Sequence, residues 1–266
     1  MSDSISARPD SPACSTFAPR PAAAPLVQRV RAQAGMEAKL MMRNGEQLLL
    51  ALVIPLVILI GGVQGAARLG IDLGGRAVDV LTPGVLALAV MSTAFTSLAV
   101  ATGFERRYGV IKRLGATPLG REGLLLGKIT ALLMVQALQF GVIGATGLAM
   151  GWRPEISVIG LLATVVLGTG AFASWGLALA GTLRAEATLA AANLIYLLLM
   201  AAGAVVLPTS SYGSFGTVAA WLPSGALGDA MRASLGAGEV PIAALGILLV
   251  WALCGTLITR RTFKWD

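Results

Sequence analysis

The sequence has no histidine, only 2 cysteines and 3 tyrosines, and charged residues make up just 12% of its 266 positions. Without histidine, the chain cannot build a Ser–His or Cys–His pair for nucleophilic catalysis. Cys14 and Cys254 fall in segments of different character, so we expect neither a disulfide nor a Cys/His metal site. The sequence therefore predicts no catalytic residue, no metal and no cofactor on this chain.

Apolar residues dominate instead, since 56% of the chain is hydrophobic and the mean hydropathy is +0.80. A soluble domain typically carries about 25% charged residues. About 20 apolar residues in a helix cross a hydrocarbon core about 30 Å thick. We predict an all-α polytopic membrane protein, because the strands of a membrane barrel need an alternation of apolar and polar residues that these runs lack. The six transmembrane helices are expected near residues 47–66, 82–103, 122–149, 157–181, 187–207 and 241–259.

Lys and Arg residues are distributed unevenly between the two sides that these spans define. Most of the 20 fall in the N-terminal segment, around the loop between spans two and three, between spans four and five, or at the C-terminus. Short basic loops stay on the cytoplasmic side of a membrane, so both termini are predicted to be cytoplasmic. The net charge of +7 then reflects contact with anionic lipid, and no nucleic acid is expected as a partner. The exceptions on the opposite side are Arg68, Arg76, Arg153 and Arg232.

The segment before the first span divides into two parts. Residues 1–25 are rich in Pro, Ser and Ala without periodicity, and they are predicted to be a disordered cytoplasmic tail. Residues 26–44 are predicted to form an amphipathic interfacial helix, with a loose basic linker as the alternative. Asn44 and Gln47 are expected to cap the first span of the membrane domain, which covers residues 45–266. The apolar positions of the interfacial helix are Leu26, Val30, Ala34 and Met41.

Ionisable side chains are missing from the middle of every predicted span. A carrier driven by protons or sodium ions usually has such a group near the midplane. The stretch "GLLLGKIT" at 123–130 has three residues between its glycines where a nucleotide-binding P-loop has four, and it lies in an apolar helix. Energy for uphill transport must therefore come from a partner. The ionisable residues closest to the spans are expected to reach lipid headgroups from their cytoplasmic ends: Glu46, Glu105, Glu122, Lys128 and Glu186.

Three amide side chains are predicted to lie near the middle of the membrane, namely Gln136, Gln139 and Asn193. Gln136 and Gln139 are three residues apart, so they share one face of a helix. Two interpretations stay open: the amides form hydrogen bonds between helices, or they line a substrate path.

The loop between spans two and three, "FERRYGVIKRLGATPLGR" at 104–121, concentrates positive charge. Its apolar residues recur at a helical period, Gly115 is a helix stop, and Thr117 with Pro118 is expected to begin the next helix. This pattern predicts a short amphipathic helix over 104–115 on the membrane surface. Alternatively, the segment only fixes topology by binding headgroups. The apolar positions are Phe104, Tyr108, Ile111 and Leu114.

The segment 208–240 is predicted to lie outside the cell. Its apolar part, 215–225, is too short to span a membrane. It therefore forms either a re-entrant turn or a helix on the outer leaflet, and Trp221 suits an interfacial position.

Three stretches of the sequence resemble one family. "ERRYGVIKRLGATPL" followed by "GKI" is similar to the cytoplasmic loop of ABC type-2 exporter permeases, the group that includes daunorubicin-resistance-type drug permeases. "RNGEQLLLALVIPL" at 43–56 resembles the beginning of their first span, and "WLPSGALGDAMRASLG" at 221–236 resembles the segment before their last. The disordered tail falls outside this resemblance.

The resemblance implies a six-helix permease subunit in the cell membrane, exporting a hydrophobic or amphiphilic substrate such as a drug, a lipid or a lipid-linked metabolite. It implies a dimer with a second permease, and two separate ATPase subunits that carry ATP and Mg²⁺. It also implies an outer gate at 208–240, for which the candidates are Trp221, Leu222 and Leu227. The implied coupling helix would dock on the ATPase through Glu105, Arg106, Arg107, Tyr108, Ile111, Lys112 and Arg113.

Two other classes of function stay open. One is a channel or passive membrane scaffold that is not coupled to ATP. The other is an intramembrane enzyme, which the lack of converging polar residues disfavours.

Overall fold

A computed structural model of the protein describes residues 24–43, 45–71, 73–115 and 117–262. Within these ranges the chain forms helices and connecting turns without any strand, which confirms the all-α prediction. Residues 1–23, Asn44 and the side chain of Gln47 lie outside the described part, and so do the predictions made for them.

Six helical segments of the described chain are long and apolar enough to cross a membrane, as predicted. The second one is a composite in which a π-helix joins two α-helices. The elements in chain order are α1 (Leu26–Arg43), α2 (Gly45–Leu69), α3 (Ala77–Met91), the π-helix (Ser92–Ser97), α4 (Leu98–Arg107), α5 (Val110–Gly115), α6 (Gly120–Ala149), α7 (Val158–Thr182), α8 (Ala185–Ala202), a 3₁₀ turn (Thr209–Tyr212), α9 (Phe215–Trp221), α10 (Pro223–Gly236) and α11 (Ile242–Thr262).

The C-terminal ends of two spans differ most from the predicted ones. The second span continues to Arg107 instead of ending at 103, so the first part of the basic loop is an extension of that span. The fifth span ends at Ala202 instead of 207. Ala204 there has a φ of 54°, a left-handed conformation that a helix cannot contain.

Helix α3 forms the centre of the bundle and contacts α2, α6, α7 and α10. Its residues from Leu81 to Met91 are all buried. Helices α2 and α11 lie at the periphery and expose apolar side chains such as Val57 and Leu253. An apolar exterior of this kind is expected where lipid replaces water as the solvent.

The connection after α8 is fixed between α3 and α10. Gly228 makes room for it, because a Cβ there would lie 2.6 Å from the carbonyl oxygen of Val205. Arg232 of α10 donates hydrogen bonds of 3.2–3.3 Å to the carbonyl oxygens of residues 204–207. Its guanidinium also lies 2.8 Å from Asp229. These contacts satisfy carbonyl groups that no helix pairs.

Helices α9 and α10 form a hairpin that enters the bundle. Trp251, near the middle of α11, donates a hydrogen bond of 2.9 Å to the carbonyl oxygen of Trp221 at the tip of this hairpin. Helix α10 packs on α3, α7 and α11, and its side chains Leu227 and Met231 are fully buried. The hairpin therefore agrees with the re-entrant interpretation of 215–225 and not with a helix lying on an outer surface.

Helix α1 is regular over 18 residues, so the alternative of a loose linker is wrong. It packs along the first half of α6: Gln33 lies against Gly127, and Met41 packs against a buried cluster that includes Leu132. Of the predicted apolar positions Ala34 is buried, whereas Leu26 remains 45% exposed. The orientation of α1 relative to a bilayer stays a prediction.

Candidate functional site at the basic end of the bundle

Helix α1, the α4–α6 connection, the α7–α8 turn and the last turn of α11 meet at one end of the bundle, here called the basic end. The predicted single helix over 104–115 is wrong, because α4 ends at Arg107 and α5 begins only at Val110. Gly109 causes the break: its φ is +68°, a conformation that glycine adopts without strain. The sequence signal was present, since glycine often follows the last residue of a helix.

The helix that follows this loop begins later than predicted. Helix α5 ends at Gly115, as predicted, but α6 begins at Gly120 rather than at Pro118. The Thr117 hydroxyl donates a hydrogen bond of 2.6 Å back to the carbonyl oxygen of Leu114. Thr117 therefore closes α5 instead of opening α6.

The residues predicted to dock on an ATPase divide into two groups. Tyr108 is 62% exposed, and Lys112 and Arg113 are exposed beside it. Ile111 is 3% exposed and holds α5 to the bundle. Tyr108, Lys112 and Arg113 thus form the outward face of this connection, which we call the loop face.

Arg106 turns inward and closes the end of α7. Its guanidinium donates hydrogen bonds to the carbonyl oxygens of Ala180 (2.9 Å), Leu183 (3.1 Å) and Gly181. The last carbonyl groups of a helix lack partners within it, and a cation there also complements the helix dipole. Arg107 pairs with Glu186 in the first turn of α8. Both arginines therefore fasten the loop to the α7–α8 turn.

A buried ion cluster joins three helices behind the loop face. The Lys128 Nζ lies 2.7 and 2.8 Å from the two carboxylate oxygens of Glu105, and 3.1 Å from Oε2 of Glu37. Gln33 Nε2 donates a hydrogen bond of 2.7 Å to the other oxygen of Glu37. Burying an ion is costly unless it is paired and hydrogen-bonded, and this network meets both conditions.

The prediction that Lys128 reaches lipid headgroups is wrong, because Lys128 is only 3% exposed. Glu105 likewise faces Lys128 rather than a partner. Sequence reasoning missed Glu37 altogether. The available signal was that Glu37 is the sole acidic residue of α1. Far along the chain, Lys128 lies inside an apolar helix and needs an acidic partner.

Gln136 and Gln139 are both 1% exposed and bridge helices. The Thr169 hydroxyl of α7 donates to Gln136 Oε1 at 3.0 Å. Gln139 accepts from the Thr93 hydroxyl at 2.9 Å and donates to the Ala51 carbonyl oxygen at 2.9 Å. Of the two interpretations left open, the structure therefore shows the interhelical one for this pair.

Asn193 has a different environment from the two glutamines. It lies halfway along α8 on an exposed face, in line with Leu189 and Leu197. It has no polar partner within the described part of the chain. The three candidate path residues are therefore not brought together.

An apolar cleft of about 380 Å³ is lined by side chains of α7, α8 and α11, the π-helix and the tip of the α9–α10 hairpin. Phe95 projects into it from the π-helix, an element often found at functional sites. Gly176 of α7 allows the π-helix to approach, since a Cβ there would lie 2.9 Å from the Phe95 carbonyl oxygen. The other large lining residues include Phe172, Trp175, Leu199 and Trp251.

The sequence matches the family model of the ABC-2 type transporter over residues 29–235, from α1 to the end of α10. The chain belongs to this family. No curated protein is significantly similar in sequence to the chain. Membership confirms the resemblance to ABC type-2 permeases. The membrane domains of this family are transmembrane components and not catalytic ones.

The candidate gate residues of this ABC-2 permease are dispersed. Trp221 is 71% exposed, whereas Leu227 is fully buried and packs on α7 at Gly168, where a Cβ would lie 2.6 Å from a Leu227 methyl group. Leu222 lies between them and lines the apolar cleft. The hairpin therefore presents one of the three residues to the cleft, one to the outside and one to the core.

Proposed function

We propose that this ABC-2 permease is the membrane subunit of an ATP-driven exporter that moves a hydrophobic or amphiphilic substrate outward. ATP and Mg²⁺ bind to separate cytoplasmic ATPase subunits, which dock on the loop face. The observation that carries the proposal is the contrast within one short connection. Tyr108, Lys112 and Arg113 project outward, while Arg106 and Arg107 anchor the same connection to the bundle.

The loop face has the composition of a docking site. An exposed tyrosine is a frequent energetic anchor at protein interfaces, and two adjacent cations favour an acidic surface on the partner. Ile111 holds α5 to the bundle, and Arg106 fixes the end of α4 from which the connection starts, so the connection does not move independently of the bundle. A displacement of the partner is therefore passed on to the spans instead of being absorbed by a mobile loop.

The ion cluster extends this connection to three helices. Glu105 belongs to α4, Lys128 to α6 and Glu37 to α1, so a shift of the loop pulls on the second and third spans together. Movement of packed helices as rigid units is a common way for a small displacement at one site to reach another.

An external source of energy fits the distribution of charge in the spans. In the described parts of the six spans, the Asp, Glu, Lys and Arg residues lie within about two helical turns of an end, and Lys128 is the deepest of them. Coupling to an ion gradient normally requires a titratable group near the midplane. The partner ATPase supplies the energy in this proposal.

The substrate path lies between two permease copies that meet along α8. Asn193 places an amide on the exposed apolar face of that helix, where lipid offers it no hydrogen bond. A second copy would provide the missing partner, and a path between copies would be polar at this one point. The apolar cleft next to α8 suits a hydrophobic or amphiphilic substrate.

Transport by the reconstituted complex tests the proposal. The permease is co-expressed with a candidate ATPase subunit, and inverted membrane vesicles are incubated with a panel of fluorescent amphiphiles. We expect ATP-dependent uptake that vanishes when the Walker lysine of the ATPase is replaced. Uptake that proceeds equally without ATP would instead identify a channel.

The position of Asn193 makes a separate prediction about the dimer. In a permease with Cys14→Ser and Cys254→Ser, we expect Asn193→Cys to form a disulfide between two copies in membranes under mild oxidation. Val250→Cys is the matched control, since Val250 is 59% exposed near the middle of a different span, α11. Crosslinking measured on non-reducing gels should be strong for the first variant and weak for the second. Equal crosslinking of both would mean that α8 has no special place in the contact.

A further inference from the structure

A second pocket, of about 290 Å³, lies at the basic end between the end of α4 and the start of α8. Three arginines and a single carboxylate line it, so positive charge is in excess. We propose that this arginine pocket binds the phosphate group of an anionic phospholipid of the surrounding leaflet. Its charged lining residues are Arg106, Arg107, Arg184 and Glu186.

The three arginines differ in the partners that their guanidinium groups already have within the protein. Arg106 is held by the carbonyl oxygens at the end of α7, and Arg107 is paired with Glu186. Arg184 is exposed, and within the described part of the chain its guanidinium has no hydrogen-bond or ion-pair partner. The pocket therefore offers one free guanidinium beside two that are fixed in place. An arginine fork binds phosphate through two parallel hydrogen bonds, a geometry that suits a single phosphate group.

The depth of the pocket favours a lipid as the source of that phosphate. Two of its walls are helix ends of apolar spans: the second span ends at Arg107, and the fifth begins at Ala185. The fourth span ends at Thr182, two residues before Arg184. Where three spans end together, the hydrocarbon core gives way to the headgroups, and phosphate groups lie at that level.

A place for an acyl chain adjoins the pocket. Thr182, Leu179 and Ala178 of α7 line the part of the apolar cleft that is nearest to the basic end. Thr182 is the last residue of α7, so this part of the cleft begins next to the α7–α8 turn that carries Arg184. A lipid with its phosphate at Arg184 therefore finds an apolar surface along the same helix. This arrangement distinguishes the arginine pocket from the loop face, since Lys112 and Arg113 line neither this pocket nor the apolar cleft.

The test measures the binding of phosphatidylglycerol to the purified full-length permease in phosphatidylcholine nanodiscs. Native mass spectrometry counts the phosphatidylglycerol molecules that stay bound as their share in the nanodisc rises. We expect one tightly bound molecule, and about tenfold weaker binding after Arg184→Ala, since a lost charge-assisted hydrogen bond is worth about that factor. Arg184→Glu should weaken binding further.

Arg260→Ala is the matched control, because Arg260 is an exposed arginine at the same end of the bundle and does not line the pocket. It should change binding by less than about twofold, as expected for an exposed charge. Thermal unfolding in phosphatidylcholine alone should be the same for all variants, because within the described residues the Arg184 guanidinium has no hydrogen bond or ion pair to lose.

Four outcomes would overturn the proposal. Equal loss of binding in Arg184→Ala and Arg260→Ala would show only diffuse attraction to charge. Unchanged binding in Arg184→Glu would show that the pocket holds no lipid. Full competition by millimolar inorganic phosphate would identify a soluble phosphate compound as the ligand. If Arg184→Glu abolished co-purification of the ATPase while lipid binding persisted, the pocket would belong to the protein interface.

Discussion

Replacing Lys128 with methionine should destabilise the permease by about 3–5 kcal/mol, because it leaves Glu37 and Glu105 buried without their cation. The change removes no large apolar contact, since methionine has nearly the same length as lysine. We expect a marked fall in the thermal unfolding temperature of the detergent-purified protein. Its amount in membranes should fall as well.

A compensated variant separates this electrostatic effect from a packing effect. Lys128→Met combined with Glu37→Gln and Glu105→Gln has no buried charge left, so it should recover most of the lost stability. Lys112→Met is the control for a lysine on an exposed helix, and it should unfold like the wild type. If the triple variant were as unstable as the single one, the pairing of charges would not be what Lys128 contributes.

Reversing the charge of the loop face should abolish the association with the ATPase. Lys112→Glu with Arg113→Glu places two carboxylates where the partner is expected to be acidic, and Tyr108→Ala removes the anchor of the interface. We expect each variant to lower co-purification of the ATPase at least about tenfold. ATP-dependent transport should fall to background, because the force of the ATPase then has no route to the spans.

Two controls distinguish a loss of docking from a folding defect or a general effect of charge. All three side chains are exposed, so the thermal unfolding temperature of the permease alone should not change. Arg153→Glu reverses an exposed arginine at the opposite end of the bundle, and it should leave co-purification intact. Normal association of the ATPase with the loop-face variants would refute docking at this surface.

Arg106 illustrates why neighbouring residues of one basic loop need different experiments. Arg106→Glu would place a carboxylate against the carbonyl oxygens that end α7, so a loss of transport in that variant would reflect damage to the bundle. Tyr108, two residues further along, has no such contact with α7. The loop face is thus the part of the connection whose substitution reports on docking.

Local composition carries most of the information about the spans. Six apolar runs predicted six helices, because burial of apolar residues in lipid adds up along a continuous stretch of chain. The short break at Gly109 was also readable, though it was missed, since a glycine after Arg-Tyr at a helix end is a local signal. By contrast, nothing local distinguished Gln139, which bridges helices, from Asn193, which faces outward.

The sequence by itself determined the helical membrane class, the number of spans and the family, since each follows from neighbouring residues or a linear motif. Only the tertiary structure decided which charges are partners: Lys128 and Glu37 are separated by 91 positions along the chain. The same is true of the hairpin that brings Trp221 to Trp251, and of the arginines that gather around the start of α8. Pairing of distant residues depends on how the helices pack, and hydropathy along the chain contains no measure of that packing.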